Sequence, residues 1–196
     1  MKTPVDIPGI RNITISGRIA AGSTSLANKL SEELGWQHIE GGDVFWEVVR
    51  KKMGLKSKDT HLRPDKDDKD FDASLKKLLK EKEHVVLETK LAGFNAQGIE
   101  EIYKILVICE DEKGQDQPQI RIDRLINRET QSVEEAKEEI LVREKSDLEK
   151  WQKLYANGDK RWTYWDPKYY NLIVNTYSLN KAEALDLVLR EIGYRK

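Results

Sequence analysis

Only one cysteine, Cys109, occurs among the 196 residues. This excludes an intrachain disulfide and any cysteine-built zinc site, and it fits a reducing compartment. No apolar run approaches the roughly 20 residues a bilayer-spanning helix needs. The opening Met1-Lys2-Thr3-Pro4-Val5-Asp6 is charged but has no apolar stretch behind it, so it does not read as a signal peptide. Net charge is almost absent too, with 34 Lys and Arg against 35 Asp and Glu. Without a basic excess there is no electrostatic footprint for nucleic acid or an anionic membrane surface. No internal repeat, low-complexity tract or long linker divides the chain. The expectation is a single cytoplasmic domain, monomer or homodimer, whose partners are small molecules.

Five Trp, seven Tyr and three Phe supply enough aromatic mass to argue against disorder. Short apolar runs rich in β-branched residues recur at 12–16, 85–88, 105–109 and 172–175, with a weaker one at 37–40. Continuous runs of this length suit strands covered on both faces. Between them lie helical patterns, such as Leu26, Leu30 and Leu34. Val133, Ala136, Ile140, Leu148, Trp151 and Tyr155 predict one long helix. Ser132 with Glu135, and Asn180 with Glu183, have capping-box spacing. Strands alternating with helices predict an α/β fold with a mainly parallel sheet. The mixed-charge stretch 56–69 and the polar loop 110–117 read as solvated surface.

The most informative stretch runs from Gly17 through Arg18, Ile19, Ala20, Ala21, Gly22, Ser23 and Thr24 to Ser25, leaving a predicted strand and entering a predicted helix. Gly17 and Gly22 have the spacing of the phosphate-binding G-x-x-x-x-G-K-[ST] loop. Such a loop wraps backbone N–H groups around a phosphate, and the helix start adds unpaired amides and a positive dipole end. Thr24 stands where the loop hydroxyl would ligate Mg²⁺. Ser23 stands where the lysine belongs. The loop alone is equally compatible with an ordinary strand-to-helix turn capped by Ser and Thr.

Beyond the loop, the sequence resembles the archaeal-type cytidylate kinases, a branch of the nucleoside monophosphate kinases. The resemblance extends from about Asn12 to Ile192 and rests on four blocks in a shared order. These are Ile13–Ala27 with Leu34-Gly35, then Gly41-Gly42-Asp43-Val44-Phe45, then Val85–Phe94, and finally Arg121–Leu125 through Arg143–Asp147 to Asn171–Thr176. It implies a P-loop three-layer fold with a five-stranded sheet and a helical lid. Within one domain it implies a core at about 12–55 and 84–196, a monophosphate-binding insertion at about 43–83, and a lid at about 121–165.

The resemblance also implies roles. Gly17 to Ser25 would hold the triphosphate of ATP, with Thr24 on Mg²⁺. Asp43, Arg50, Glu88, Lys90 and Arg128 would face the acceptor or its phosphates. Arg124 and Arg143 would be lid cations, with Asp147 orienting one of them. The implied reaction is phosphoryl transfer from ATP to CMP or dCMP. Three departures bear on it: Ser23 for the loop lysine, Trp46 and Lys90 for family arginines. Lysine binds phosphate as a point charge, whereas arginine grips it with two parallel bonds. A nucleotide-binding protein with lost or altered kinase activity, or a kinase for another small acceptor, therefore stays open. The stripe Arg121, Arg124, Arg128 is also what an exposed helix face would show, and Trp162, Tyr164 and Trp165 read as packing or as a base-stacking platform.

Overall fold

The computed structural model describes residues 2–42, 62–129 and 132–194. Asp43, Trp46 and Arg50 lie outside the described residues. Five parallel strands form one sheet: β1 (Asn12–Gly17), β2 (Gln37–Glu40), β3 (Val85–Glu88), β4 (Ile102–Ile108) and β5 (Leu172–Asn175), in the order β2-β3-β1-β4-β5. The predicted strands are all present, and the reason for their unbroken apolar runs is visible in β3. Val86 packs into one core with Ile13, Ile15, Leu30 and Val188, while Val85 and Leu87 pack into the other with Leu75, Leu79 and Ile102. Both faces are covered, so neither needs polar residues.

The helices are α1 (Ser23–Leu34), α2 (Asp65–Glu81), α3 (Ala92–Asn95), α4 (Pro118–Glu129), α5 (Val133–Lys137), α6 (Glu144–Ala156) and α7 (Lys181–Glu191). Leu26, Leu30 and Leu34 of α1 join Val188 and Leu189 of α7 over one sheet face, and α2 and α3 cover the other. Both capping boxes form, at Ser132–Glu135 and Asn180–Glu183. Gly35 ends α1 with φ +68°, a left-handed cap that glycine adopts without a Cβ penalty.

Asn12 fastens α2 to the sheet. Its buried Nδ2 donates to Leu79 O at 3.1 Å and Lys82 O at 2.7 Å, and its Oδ1 accepts from the Val85 amide at 2.9 Å. Asn12→Ala would strip partners from buried backbone groups, and each such group left unpaired costs roughly 1–3 kcal/mol. Urea unfolding should therefore show a loss of about 2–4 kcal/mol; a loss below about 0.5 kcal/mol would mean that the backbone finds other partners.

Two expectations are corrected, and one alternative is removed. The helix drawn from Val133 to Tyr155 is interrupted by a π-helical turn at Glu138–Arg143, which holds one more residue per turn than its neighbours allow. Ile140 faces Ile122, Leu125 and Ala136, while Val133 is exposed. The stretch 56–69 is not simply solvated: Arg63 and Asp68 are buried, and α2 begins at Asp65. Asp65, Asp67 and Asp68 lie in the first turn of α2, where the helix dipole favours negative charge. Nor is Arg121 part of a surface stripe, because only 1% of it is exposed.

Candidate active site

β1 delivers the chain to Gly17, and α1 starts at Ser23 with no side-chain cap. The first turn of a helix has amides without intrahelical partners, so an uncapped start leaves them for a ligand. Gly22 makes the entry at φ +113°, a backbone unsuited to side-chain-bearing residues. A Cβ there would also meet Thr176 Cγ2 at 3.3 Å, and one at Gly17 would meet Val107 O at 3.1 Å.

Ser23 and Thr24 both turn to Glu88 at the end of β3. Ser23 Oγ donates to Glu88 Oε1 at 2.8 Å, and Thr24 Oγ1 lies 3.4 and 3.3 Å from its two oxygens. The lysine position is thus filled by a hydroxyl bound to a carboxylate. Burial pushes the Glu88 carboxyl up to about 7, with the Ser23 hydrogen bond opposing and the Glu40 charge adding to the rise. Arg128, on the exposed side of α4, favours the ionised form of Glu88 through its charge.

Beyond Glu88 a solvent-open cleft runs between the ends of β2 and β3, α2 and α6. Phe71, Leu91 and Trp151 give it apolar wall, and Arg63, Lys90, Arg143, Asp68, Asp72 and Asp147 give it charge. Asp147 collects three cations: Lys90 Nζ at 2.9 Å, Arg63 NH1 at 3.5 Å and Arg143 Nε at 3.7 Å. Burial alone would raise its carboxyl, but the Lys90, Arg143 and Arg63 charges outweigh it and bring it down to about 2. Burial pushes the Lys90 ammonium down, against the pull of Asp147. Asp68 accepts from Arg63 and Lys150. Asp72 accepts from Asn95 at 2.7 Å and from the Tyr155 hydroxyl.

The sequence-derived residues thus gather in two groups, with Ser23, Thr24 and Glu88 at the loop and Lys90, Arg143 and Asp147 in the cleft. Arg124 touches the loop from its backbone side, through Ala21. It donates to Thr176 Oγ1 at 2.8 Å, Thr176 O at 2.7 Å and Ala21 O at 3.3 Å, at the outer end of β5. Arg18 turns back onto Glu144, pairs with Asp116 at 3.1 Å, and lies 4.7 Å from the Trp165 ring centroid. Trp165 and Tyr164 pack edge to face at 4.7 Å in the cluster under α6, the packing reading of these aromatics. Arg63, Asp68, Asp72, Asp116 and Glu144 received no role from the sequence. Two periodic signals could have exposed some of them: Glu144 and Asp147, three apart on α6, and Asp68 and Asp72, four apart on α2 in line with the buried Leu75 and Leu79.

Thr24 and Glu88 offer hard oxygen donors, the chemistry that Mg²⁺ prefers. Among the described residues no cluster of three His, Cys, Asp or Glu could hold a metal by itself.

A parallel sheet whose central strand passes through a Gly-x4-Gly loop into a helix, with a second cleft at the same strand ends, is the architecture of a P-loop kinase. Residues 16–141 match the AAA domain family. The chain is 31% identical over 180 residues to the cytidylate kinase of Haloquadratum walsbyi, covering 90% of this chain and 86% of that one. It is 32% identical over 172 residues to the cytidylate kinase of Natronomonas pharaonis, covering 86% and 82%. The chain belongs to this cytidylate kinase family of P-loop proteins. The shikimate kinase of Bacteroides thetaiotaomicron shares the fold, with a TM-score of 0.61 at 15% identity over 93% of this chain and 98% of that one.

Proposed function

We propose that the protein transfers the γ-phosphoryl group of ATP to a nucleoside monophosphate, CMP or dCMP first among them. The observation that carries this reading is the uncapped start of α1, which opens beside Glu88 onto a cleft lined by Lys90 and Arg143. In this reading the acceptor phosphate oxygen forms a bond to Pγ while the bond from Pγ to the bridging oxygen of ADP breaks. Little covalent work falls to the protein, and positioning plus charge carries the reaction. The loop amides from Gly22 to Ser25 take the donor phosphates. Lys90 and Arg143 meet the acceptor phosphate, held in place by Asp147. Residues of about 121–165 act as a lid that excludes water, and about 43–83 as the acceptor-binding insertion, which includes Asp43 and Arg50. Thr24 and Glu88 would hold Mg²⁺, which when bound neutralises the charge on the transferring group. Arg124, which donates to Ala21 O of the loop, and Arg128, whose charge acts on Glu88, are the lid cations of this reading on the donor side.

ADP release with Mg²⁺ and a panel of nucleoside monophosphates tests the reading. CMP or dCMP should give the highest kcat/KM, and release unaffected by any monophosphate would overturn it. Thr24→Ala should lower kcat by about 100-fold or more through loss of the metal hydroxyl; turnover kept within twofold would remove Thr24 from the site.

The Ser23–Glu88 hydrogen bond at the lysine position favours a second reading, nucleotide binding without turnover. Calorimetric binding of ATP with no ADP formed from any acceptor, small hydroxylated metabolites included, would select it.

A further inference from the structure

The backbone of the 18–22 loop needs restraint. Ala20 holds φ +58°, a left-handed conformation that residues other than glycine seldom adopt unless their surroundings impose it. The groups that impose it come from elsewhere in the chain. Ile19 O accepts from Arg121 NH1 at 2.8 Å, and the Ile19 amide donates to Glu144 Oε2 at 3.1 Å. Glu144 also accepts from Arg121 at 2.9 and 3.2 Å and from Arg18, and Asp116 bridges the same two arginines. Burial would raise the Glu144 carboxyl, yet the Arg121 and Arg18 charges hold it below the usual range. Only 4% of Glu144 is exposed. Ser23 contributes nothing to this bracing, because its hydroxyl is spent on Glu88.

We infer that Glu144 is a positioning residue for the donor loop: with the buried Arg121 behind it, the carboxylate fixes the Ile19 amide and Arg18, so the amides of 22–25 converge on one point. The inference rests on reading the loop as a polyphosphate cradle. Glu144 begins α6, and Asp147, three residues on, holds the cations of the acceptor cleft. One helix therefore carries a carboxylate to each side of the reaction. The contrary idea is that Glu144 merely occupies the anion site and sequesters Arg18 until a phosphate displaces it. The two predict opposite signs. Bracing makes Glu144→Gln weaken nucleotide binding, and sequestration makes it tighten.

Calorimetry with MgATP on wild type and Glu144→Gln, together with steady-state kinetics against CMP, reads the sign. Expected is ATP affinity lower by roughly tenfold or more, with the KM for CMP within about twofold of wild type, since a small misplacement of a positioned group can cost up to about 100-fold. Unchanged or tighter ATP binding would overturn the inference. Hydrogen exchange in the nucleotide-free wild type keeps the question open to test if that variant fails to fold. The Ile19 amide should exchange about 100-fold more slowly than the Ser23 and Thr24 amides. Equal rates would show that no carboxylate holds it. This second measurement needs no nucleotide, so a wild type that does not bind ATP counts against the proposed function and leaves the exchange rates to decide the brace.

Discussion

Glu88→Gln is expected to yield a protein more stable than wild type at pH 8 and almost inactive. Burial raises the Glu88 carboxyl from 4.5 to about 7. The folded state then keeps its proton to a higher pH than the unfolded chain does. Between these two values the unfolded state releases the proton first, so stability falls as pH rises. Below 4.5 the group costs nothing, and above 7 the full penalty is present. At about 1.4 kcal/mol per unit this penalty is on the order of 3 kcal/mol. Glutamine cannot ionise, yet it keeps the shape that receives Ser23 and Thr24. Chemical denaturation should find the variant about 2–3 kcal/mol more stable at pH 8 and equal to wild type at pH 4. The same substitution removes the charge beside Thr24, so kcat should fall by roughly 100- to 1000-fold. A variant no more stable at pH 8 would mean that Glu88 is solvated, and one with full turnover would move the chemistry elsewhere.

Asp147→Asn should act in the opposite direction on stability. In wild type one buried carboxylate serves Lys90, Arg63 and Arg143, and its removal takes the counter-charge from Lys90 while Arg63 keeps Asp68 and Arg143 keeps Glu139. Breaking a buried ion pair from one side typically costs about 3–5 kcal/mol. Lys90 is pushed toward its neutral form by burial and loses its counter-charge, so part of this cost would be relieved by deprotonation of the lysine. A loss of about 3 kcal/mol at pH 7 is expected in urea unfolding. The sign with pH follows from the lowered carboxyl, at about 2 in the folded protein against 3.8 ordinarily. Its stabilisation is complete above 3.8 and is lost as pH falls toward 2. The gap between variant and wild type should therefore narrow by about 1 kcal/mol on going from pH 7 to pH 3. A gap independent of pH would assign the effect to packing instead. Acceptor binding should weaken with the variant, because Lys90 and Arg143 lose the group that orients them.

The two predictions meet at the point where phosphate charge would gather. Glu88 rises because burial penalises its charge and the Ser23 and Thr24 hydrogen bonds and the Arg128 charge do not offset that. Asp147 has three cations around it, which is why it falls. A polyphosphate and its counter-ion entering between them would find the cations already positioned and paired on the acceptor side. On the donor side it would find backbone amides rather than a lysine. In the proposed reaction, charge neutralisation at the donor would fall to the amides of 22–25, to Mg²⁺ and to the lid arginines, because Ser23 brings no charge to that position.

The sequence by itself determined the parallel α/β frame, the strand-to-helix loop and both capping boxes. These follow from short-range rules: a run of apolar residues has to be covered on both faces, Gly-x4-Gly between a strand and a helix allows a tight phosphate-type turn, and Ser or Asn with Glu three residues on closes a helix start. It also brought Thr24, Glu88, Lys90 and Asp147 to notice through their family blocks. Only the tertiary structure decided that Arg121 is buried rather than on a surface stripe, that Arg63 and Asp68 leave the charged stretch for the cleft, and that Arg18 faces Glu144. Ion pairs such as Arg18–Glu144 join residues 126 apart, and one charged side chain on a helix looks like any other until its partner is known. The π-helical turn was hidden for a related reason: one extra residue barely disturbs a hydrophobic repeat, yet it rotates Arg143, Glu144 and Asp147 relative to Ile140, and so decides what they touch.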